Sequence, residues 1–243
     1  MQKCIAEFVG TMFLIIFGCG VCANATLVKS KGFNAGFGTV VMGWAVGVAL
    51  AVFMFRLVSG AHFNPALTVA FAFHEIGGTT WADVPGYLIA QFAGAFCGAI
   101  IVILTYFKHF QETDDLQGKL GVFCTFPAIR NGFCNFMTEF IGTFVLAFVC
   151  MGLSPYSGKI GDGFAAFTIG MLILAIGYSL GGPTGFAINP VRDLGPRIAH
   201  FLMPIGKKRD SDWGYAWIPI VAPILGGIAG VEVWLLIFKD FKL

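Results

Sequence analysis

The sequence predicts an all-α membrane protein: six transmembrane helices plus two re-entrant half-helices, arranged as an inverted internal repeat. Three observations predict it. Of 243 residues, 57% are hydrophobic and only 12% charged, against about 25% charged in soluble domains. Six runs nearly free of charge recur along the chain, and one local pattern is written twice in the same order. Net charge is +2 and no basic run is long, so nucleic acid is not an expected partner; the lipid bilayer is.

The charge-poor runs fall at 4–24, 36–57, 85–107, 134–153, 163–182 and 215–238. Each approaches the ~20 residues that cross ~30 Å of hydrocarbon as a helix. Six spans put both termini on one side. The first run has signal-peptide features, with Lys3 ahead of it and Ala23-Asn24-Ala25 in cleavage-site form. Two facts oppose that reading: Glu7 interrupts the apolar stretch, and the same local sequence recurs mid-chain. The 33 glycines suit membrane helices in close contact. Seven cysteines, an odd number, lie mostly inside apolar runs and read as small buried hydrophobes; Cys19-x-x-Cys22 lacks the second ligand pair of a zinc site.

Glu7-Phe8-Val9-Gly10-Thr11 returns as Glu139-Phe140-Ile141-Gly142-Thr143, and Ala93-Gly94-Ala95 with Gly98 aligns with Ala222-Pro223-Ile224 with Gly227. The order in both halves is span, span, half-span, span. The expected organisation is a first repeat over 1–107, a linker over 108–133 and a second repeat over 134–243. Three full spans per repeat is an odd number, so the second repeat is expected upside down relative to the first, with binding where broken helices meet.

The half-spans begin at matching places. Ser59-Gly60-Ala61-His62-Phe63-Asn64-Pro65-Ala66 precedes one, over 64–74; Thr184-Gly185-Phe186-Ala187-Ile188-Asn189-Pro190-Val191 precedes the other, over 189–200. Asn is a favoured N-cap and Pro a favoured first helical residue. From Pro65 to Phe73 is nine residues, about 14 Å of helix and half the hydrocarbon thickness. Two such starts meeting at mid-depth would aim two positive dipole ends at one point. Each Asn would cap through its carbonyl and point its amide hydrogens into the gap. Irregular backbone at that depth is tolerated where it lines a watery cavity, so the pair reads as a device for handling a small polar molecule.

At these motifs the chain resembles the aquaporin (major intrinsic protein) family over essentially its full length. The second motif departs from the usual Asn-Pro-Ala: Val191 stands where alanine is common, which alters packing but not the Asn donor. The resemblance implies a central constriction at Asn64 and Asn189, and a narrower selectivity ring of Trp44, Gly177, Phe186 and Arg192. Gly177 would leave width where water-selective relatives place histidine, and Trp44 with Phe186 would give a carbon backbone an apolar corner. The Asp193-Leu194-Gly195-Pro196-Arg197 run also matches the glycerol-conducting branch, the aquaglyceroporins. The implied activity is passive conduction of glycerol, other small uncharged polyols and water, with exclusion of ions and protons. It needs no cofactor and no catalysis. A homotetramer in the plasma membrane with cytoplasmic termini is also implied.

Other readings stay open at this point. Arg192 and Asp193 could form an internal ion pair. Glu7 and Glu139, as buried carboxylates, either accept hydrogen bonds from the loops before the half-helices or relay protons in a coupled carrier. His62 either lines the pore mouth or is a neutral histidine bonded to backbone. His74, His109 and His200 show no metal-ligand spacing, and no Ser-His constellation suggests an enzyme. Within the channel class, a water-only pore is the alternative. The Lys/Arg distribution also conflicts with the implied topology: Lys3, Arg56, Lys159, Lys239 and Lys242 would lie inside and nine others outside, Arg192 apart, against the positive-inside rule.

Overall fold

The computed structural model describes residues 1–153 and 161–238. Of the basic residues counted for orientation, Lys159, Lys239 and Lys242 lie outside the described residues. Among the described residues the regular secondary structure is all helical, with no strand. In chain order the helices are α1 (Gln2–Thr26), α2 (Gly36–Ser59), α3 (Pro65–Ala72), α4 (Val84–Glu112), α5 (Leu116–Phe123), α6 (Gly132–Leu153), α7 (Asp162–Leu180), α8 (Pro190–Leu202), α9 (Trp213–Ala216) and α10 (Ile218–Phe238). Six segments are long and apolar enough to span a bilayer: α1, α2, α4, α6, α7, and α9 with α10 as one. This matches the six runs expected. Large apolar side chains such as Phe53, Leu57, Ile89 and Leu236 point outward and exposed, as lipid-facing surfaces require.

The expected linker is partly helical. The helix α4 runs on to Glu112, past a kink at Tyr106 (φ −107°, ψ 17°), and α5 forms within 108–133. Asp115 starts α5, its side chain accepting from the Gly118 amide at 2.9 Å. Such an Asx cap was readable in Asp115 itself, but α5 is too short to show a clear apolar period.

Glycines set the helix-pair geometry. A Cβ on Gly94 would sit 2.2 Å from the Phe8 carbonyl oxygen, and one on Gly98 2.6 Å from that of Met12. On the partner pair α6–α10, a Cβ on Gly226 would sit 2.2 Å from the Phe140 oxygen and one on Gly230 2.5 Å from that of Phe144. Backbones this close gain dispersion contacts in a medium that supplies no hydrophobic drive between helices. The contacts also correct the register of the repeat. Gly226 and Gly230 are the counterparts of Gly94 and Gly98, one helical turn beyond the Ala222-Pro223-Ile224/Gly227 alignment; the contact partners, Phe8 with Phe140 and Met12 with Phe144, follow the Glu7/Glu139 register.

The two sequence halves cross over in space. The short helix α3 packs on α10 and the short helix α8 on α4, so each rests against the last span of the other half. α2 and α7 close the remaining side, where a Cβ on Gly170 would approach the Ala45 carbonyl oxygen to 2.9 Å. This brings the starts of α3 and α8 together inside the bundle.

Candidate functional site

Both short helices begin as their Asn-Pro pairs dictate. Asn64 (φ −154°, ψ 113°) is the N-cap of α3, its Oδ1 accepting from the Ala66 amide at 2.9 Å, with Pro65 next. Asn189 (φ −157°, ψ 112°) caps α8, its Oδ1 accepting from Val191 N at 3.2 Å and Arg192 N at 3.3 Å, with Pro190 next. Val191 is buried and fills the Ala66 role in the cap without disturbing it. Each amide group then reaches across the junction: Asn64 Nδ2 donates to Ile188 O at 2.8 Å, and Asn189 Nδ2 to Phe63 O at 2.7 Å. One amide hydrogen of each asparagine is therefore committed to the opposite loop, where both were expected to face the gap. A carbonyl turned into the interior needs a donor, and the facing asparagine supplies it.

The segments entering the caps are conformationally costly. Ala61 (φ 54°) and Phe63 (φ 49°) before α3, and Phe186 (φ 41°) and Ile188 (φ 42°) before α8, are left-handed non-glycine residues, each at a cost of about 1–2 kcal/mol. Buried carboxylates hold them there. Glu7 accepts from His62 N at 3.0 Å and Phe63 N at 2.7 Å, and also from Ser59 Oγ (2.6 Å) and Gln91 Nε2 (2.8 Å). Glu139 accepts from Ala187 N at 3.0 Å and Ile188 N at 2.8 Å. Ser59 and Gln91 were not singled out in the sequence, because nothing in an apolar span marks a polar residue's partner.

Beside the junction lies a cavity of about 410 Å³ whose lining includes Trp44, His62, Asn64, Phe186, Asn189 and Arg192. The Arg192 guanidinium carbon stands 4.0 Å from the centroid of the Trp44 ring, within cation–π range. Gly177 is not on the lining: a Cβ there would meet Val41 Cγ1 at 2.5 Å and Phe186 Cζ at 3.2 Å. Its bare backbone gives room to those two side chains. His62 is fixed on two sides, Nδ1 3.1 Å from Thr68 Oγ1 and Nε2 3.3 Å from Thr79 Oγ1, with Phe71 and Tyr87 packed edge-on against its ring.

The Arg192–Asp193 ion pair does not form. The Asp193 carboxylate is taken by Arg197 (Nε 2.7 Å, Nη2 3.0 Å) and by the Thr125 amide and hydroxyl, both at 2.7 Å. Arg197, fully buried, spends its remaining donors on the carbonyls of Ser211 (2.7 Å), Asp212 (3.2 Å) and Thr125 (2.8 Å). The i,i+4 spacing of Asp193 and Arg197 was the available signal for this pair. It ties α8 to the loops around it and leaves Arg192 to the cavity. At the far end of α8, Lys208 donates to the carbonyls of Phe201 (2.8 Å) and Met203 (2.9 Å), and burial pulls its ammonium below the usual lysine range.

A family model described as major intrinsic protein matches residues 1–234. The chain is 52% identical over 234 residues to the "Probable glycerol uptake facilitator protein" of Thermotoga maritima, covering 96% of this chain and 98% of that one. It is 50% identical to the glycerol uptake facilitator protein of Bacillus subtilis, covering 96% of this chain and 84% of that protein. In three dimensions it is similar to the aquaglyceroporin from Plasmodium falciparum, with a TM-score of 0.81 at 28% identity, over 99% of this chain and 95% of the other.

Proposed function

The chain belongs to the major intrinsic protein family, a family of multi-pass membrane channels, and we propose that it is a passive channel for glycerol, other small uncharged polyols and water. One observation carries the reading most: two Asn-capped short helices meet start to start beside a cavity that also holds Arg192, Trp44 and Phe186. The names of the Thermotoga maritima and Bacillus subtilis relatives support glycerol as the solute.

Solutes pass in single file. At the constriction formed by Trp44, Phe186 and Arg192, with Gly177 behind the Phe186 ring, aromatic faces receive the carbon side of the polyol while the guanidinium donates to its hydroxyls. At the junction, Asn64 and Asn189 each retain a second amide hydrogen for the passing solute. The paired helix starts and the Arg192 charge raise the energy of any cation at that depth, which opposes sodium and protons alike. Glu7 and Glu139 act as struts for the strained loops, a role supported by their engagement with loop amides. Pro65, Ala66, Pro190 and Val191 set the helix starts.

The two halves lie in opposite senses across the bilayer, α3 and α8 entering from opposite faces. We place the chain in the plasma membrane with both termini cytoplasmic, assembled as a homotetramer with one pathway per subunit. Stopped-flow light scattering of proteoliposomes over a series from water through urea to glycerol and larger polyols tests the solute assignment. Rapid glycerol entry is expected. Water permeation without glycerol entry would instead show a water-selective pore and refute it.

A further inference from the structure

The Trp44 indole is held at three places, and two of them are on α1. Its Nε1–H donates to Cys22 Sγ at 3.4 Å. Its six-membered ring lies on Gly18 so closely that a Cβ there would be 2.2 Å from Cζ3, 2.3 Å from Cε3 and 2.4 Å from Cη2. The third contact is the Arg192 guanidinium, 4.0 Å from the ring centroid. Gly18 and Cys22 are four residues apart, hence on one face of α1, in line with Leu14, which lines the cavity. Trp44 itself is 3% exposed, so its ring has little freedom beyond what these contacts permit.

We infer that Gly18 and Cys22 are positioning residues for solute selection, fixing through the Trp44 indole the apolar wall that a polyol must pass. This rests on the channel reading above. A thiol sulfur is a weak acceptor, but it is the acceptor the structure gives a buried indole N–H that would otherwise be unpaired at a cost. Without it the N–H turns toward polar groups in the cavity, and the indole plane moves with it. A methyl group at position 18 acts from the other side, lifting the ring off α1 toward the lumen. Both changes narrow the path for a polyol more than for water, because water is small enough to pass a displaced ring.

The test is the ratio of glycerol to water permeability, measured by stopped-flow on proteoliposomes of the full chain and three variants. Cys22→Ala is expected to lower the ratio about fivefold, the equilibrium weight of one net hydrogen bond. Cys22→Ser, whose hydroxyl also accepts, is expected to restore it to within about twofold, since its acceptor keeps that bond. Gly18→Ala, which adds volume rather than removing an acceptor, is expected to lower the ratio about tenfold, as size discrimination in a pocket does. An unchanged ratio in Cys22→Ala, equal losses of both solutes, or equal behaviour of the Ala and Ser variants would overturn the inference. No glycerol entry through the unaltered protein would instead overturn the channel reading, so the two failures are distinguishable.

Discussion

Asp193 follows Arg192 in the chain, yet its carboxylate belongs to Arg197 and Thr125. On a helix, neighbours in sequence point about 100° apart, whereas residues four apart share a face. Asp193→Asn leaves a fully buried guanidinium without its charge partner. Loss of one member of a buried pair costs about 3–5 kcal/mol, so the purified variant should unfold at a markedly lower temperature in detergent. Gly177→His forces a side chain against Val41 and Phe186. It should reduce glycerol entry about tenfold or more, the range in which pockets discriminate by size, with water much less affected; equal loss of both would argue against the ring. Two motif copies and a family likeness pointed to Asn64, Asn189, Arg192 and Trp44, which the fold brings to one cavity. Their partners were not legible. Which carbonyl an amide meets, and that Gly177 faces Val41 and Phe186, depends on crossings between distant segments that no local pattern encodes.

At the scale of elements, the spans and both short helices were readable from charge-free length and from Asn-Pro capping. The linker helix α5 and the three-residue shift in the repeat alignment were not, since a run of glycines and alanines looks alike in neighbouring registers until the facing backbone is known. The α1–α4 and α6–α10 pairs rest on glycine-to-carbonyl contacts at 2.2 to 2.6 Å from where a Cβ would stand. Gly94→Leu should therefore force α1 and α4 apart and sharply reduce folded protein on size-exclusion chromatography. Gly20→Ala, on a stretch of α1 where a Cβ meets nothing within 4 Å, should be neutral or slightly stabilising, because Ala outranks Gly in helices by about 1 kcal/mol. Equal yields from the two variants would show that contact distance is not what selects glycine at position 94.

For the whole molecule, the question is whether conduction draws on an ion gradient. Glu7 and Glu139 are occupied as acceptors for loop amides, and a carboxylate that carried protons would have to give those bonds up in each cycle. Glycerol entry into proteoliposomes should accordingly be unchanged when proton and sodium gradients are dissipated with ionophores. A fall in rate under those conditions would favour a coupled carrier. Composition alone placed the chain in a membrane, and the doubled pattern gave its plan.

The bond from Asn64 to Ile188, matched by that from Asn189 to Phe63, has a bearing on biogenesis. The bonded partners lie 124 and 126 residues apart in sequence, so neither bond can form until the second loop has been made. A polypeptide cut short before Ile188 therefore has neither bond, and the Asn64 amide and Phe63 carbonyl it carries must find other partners.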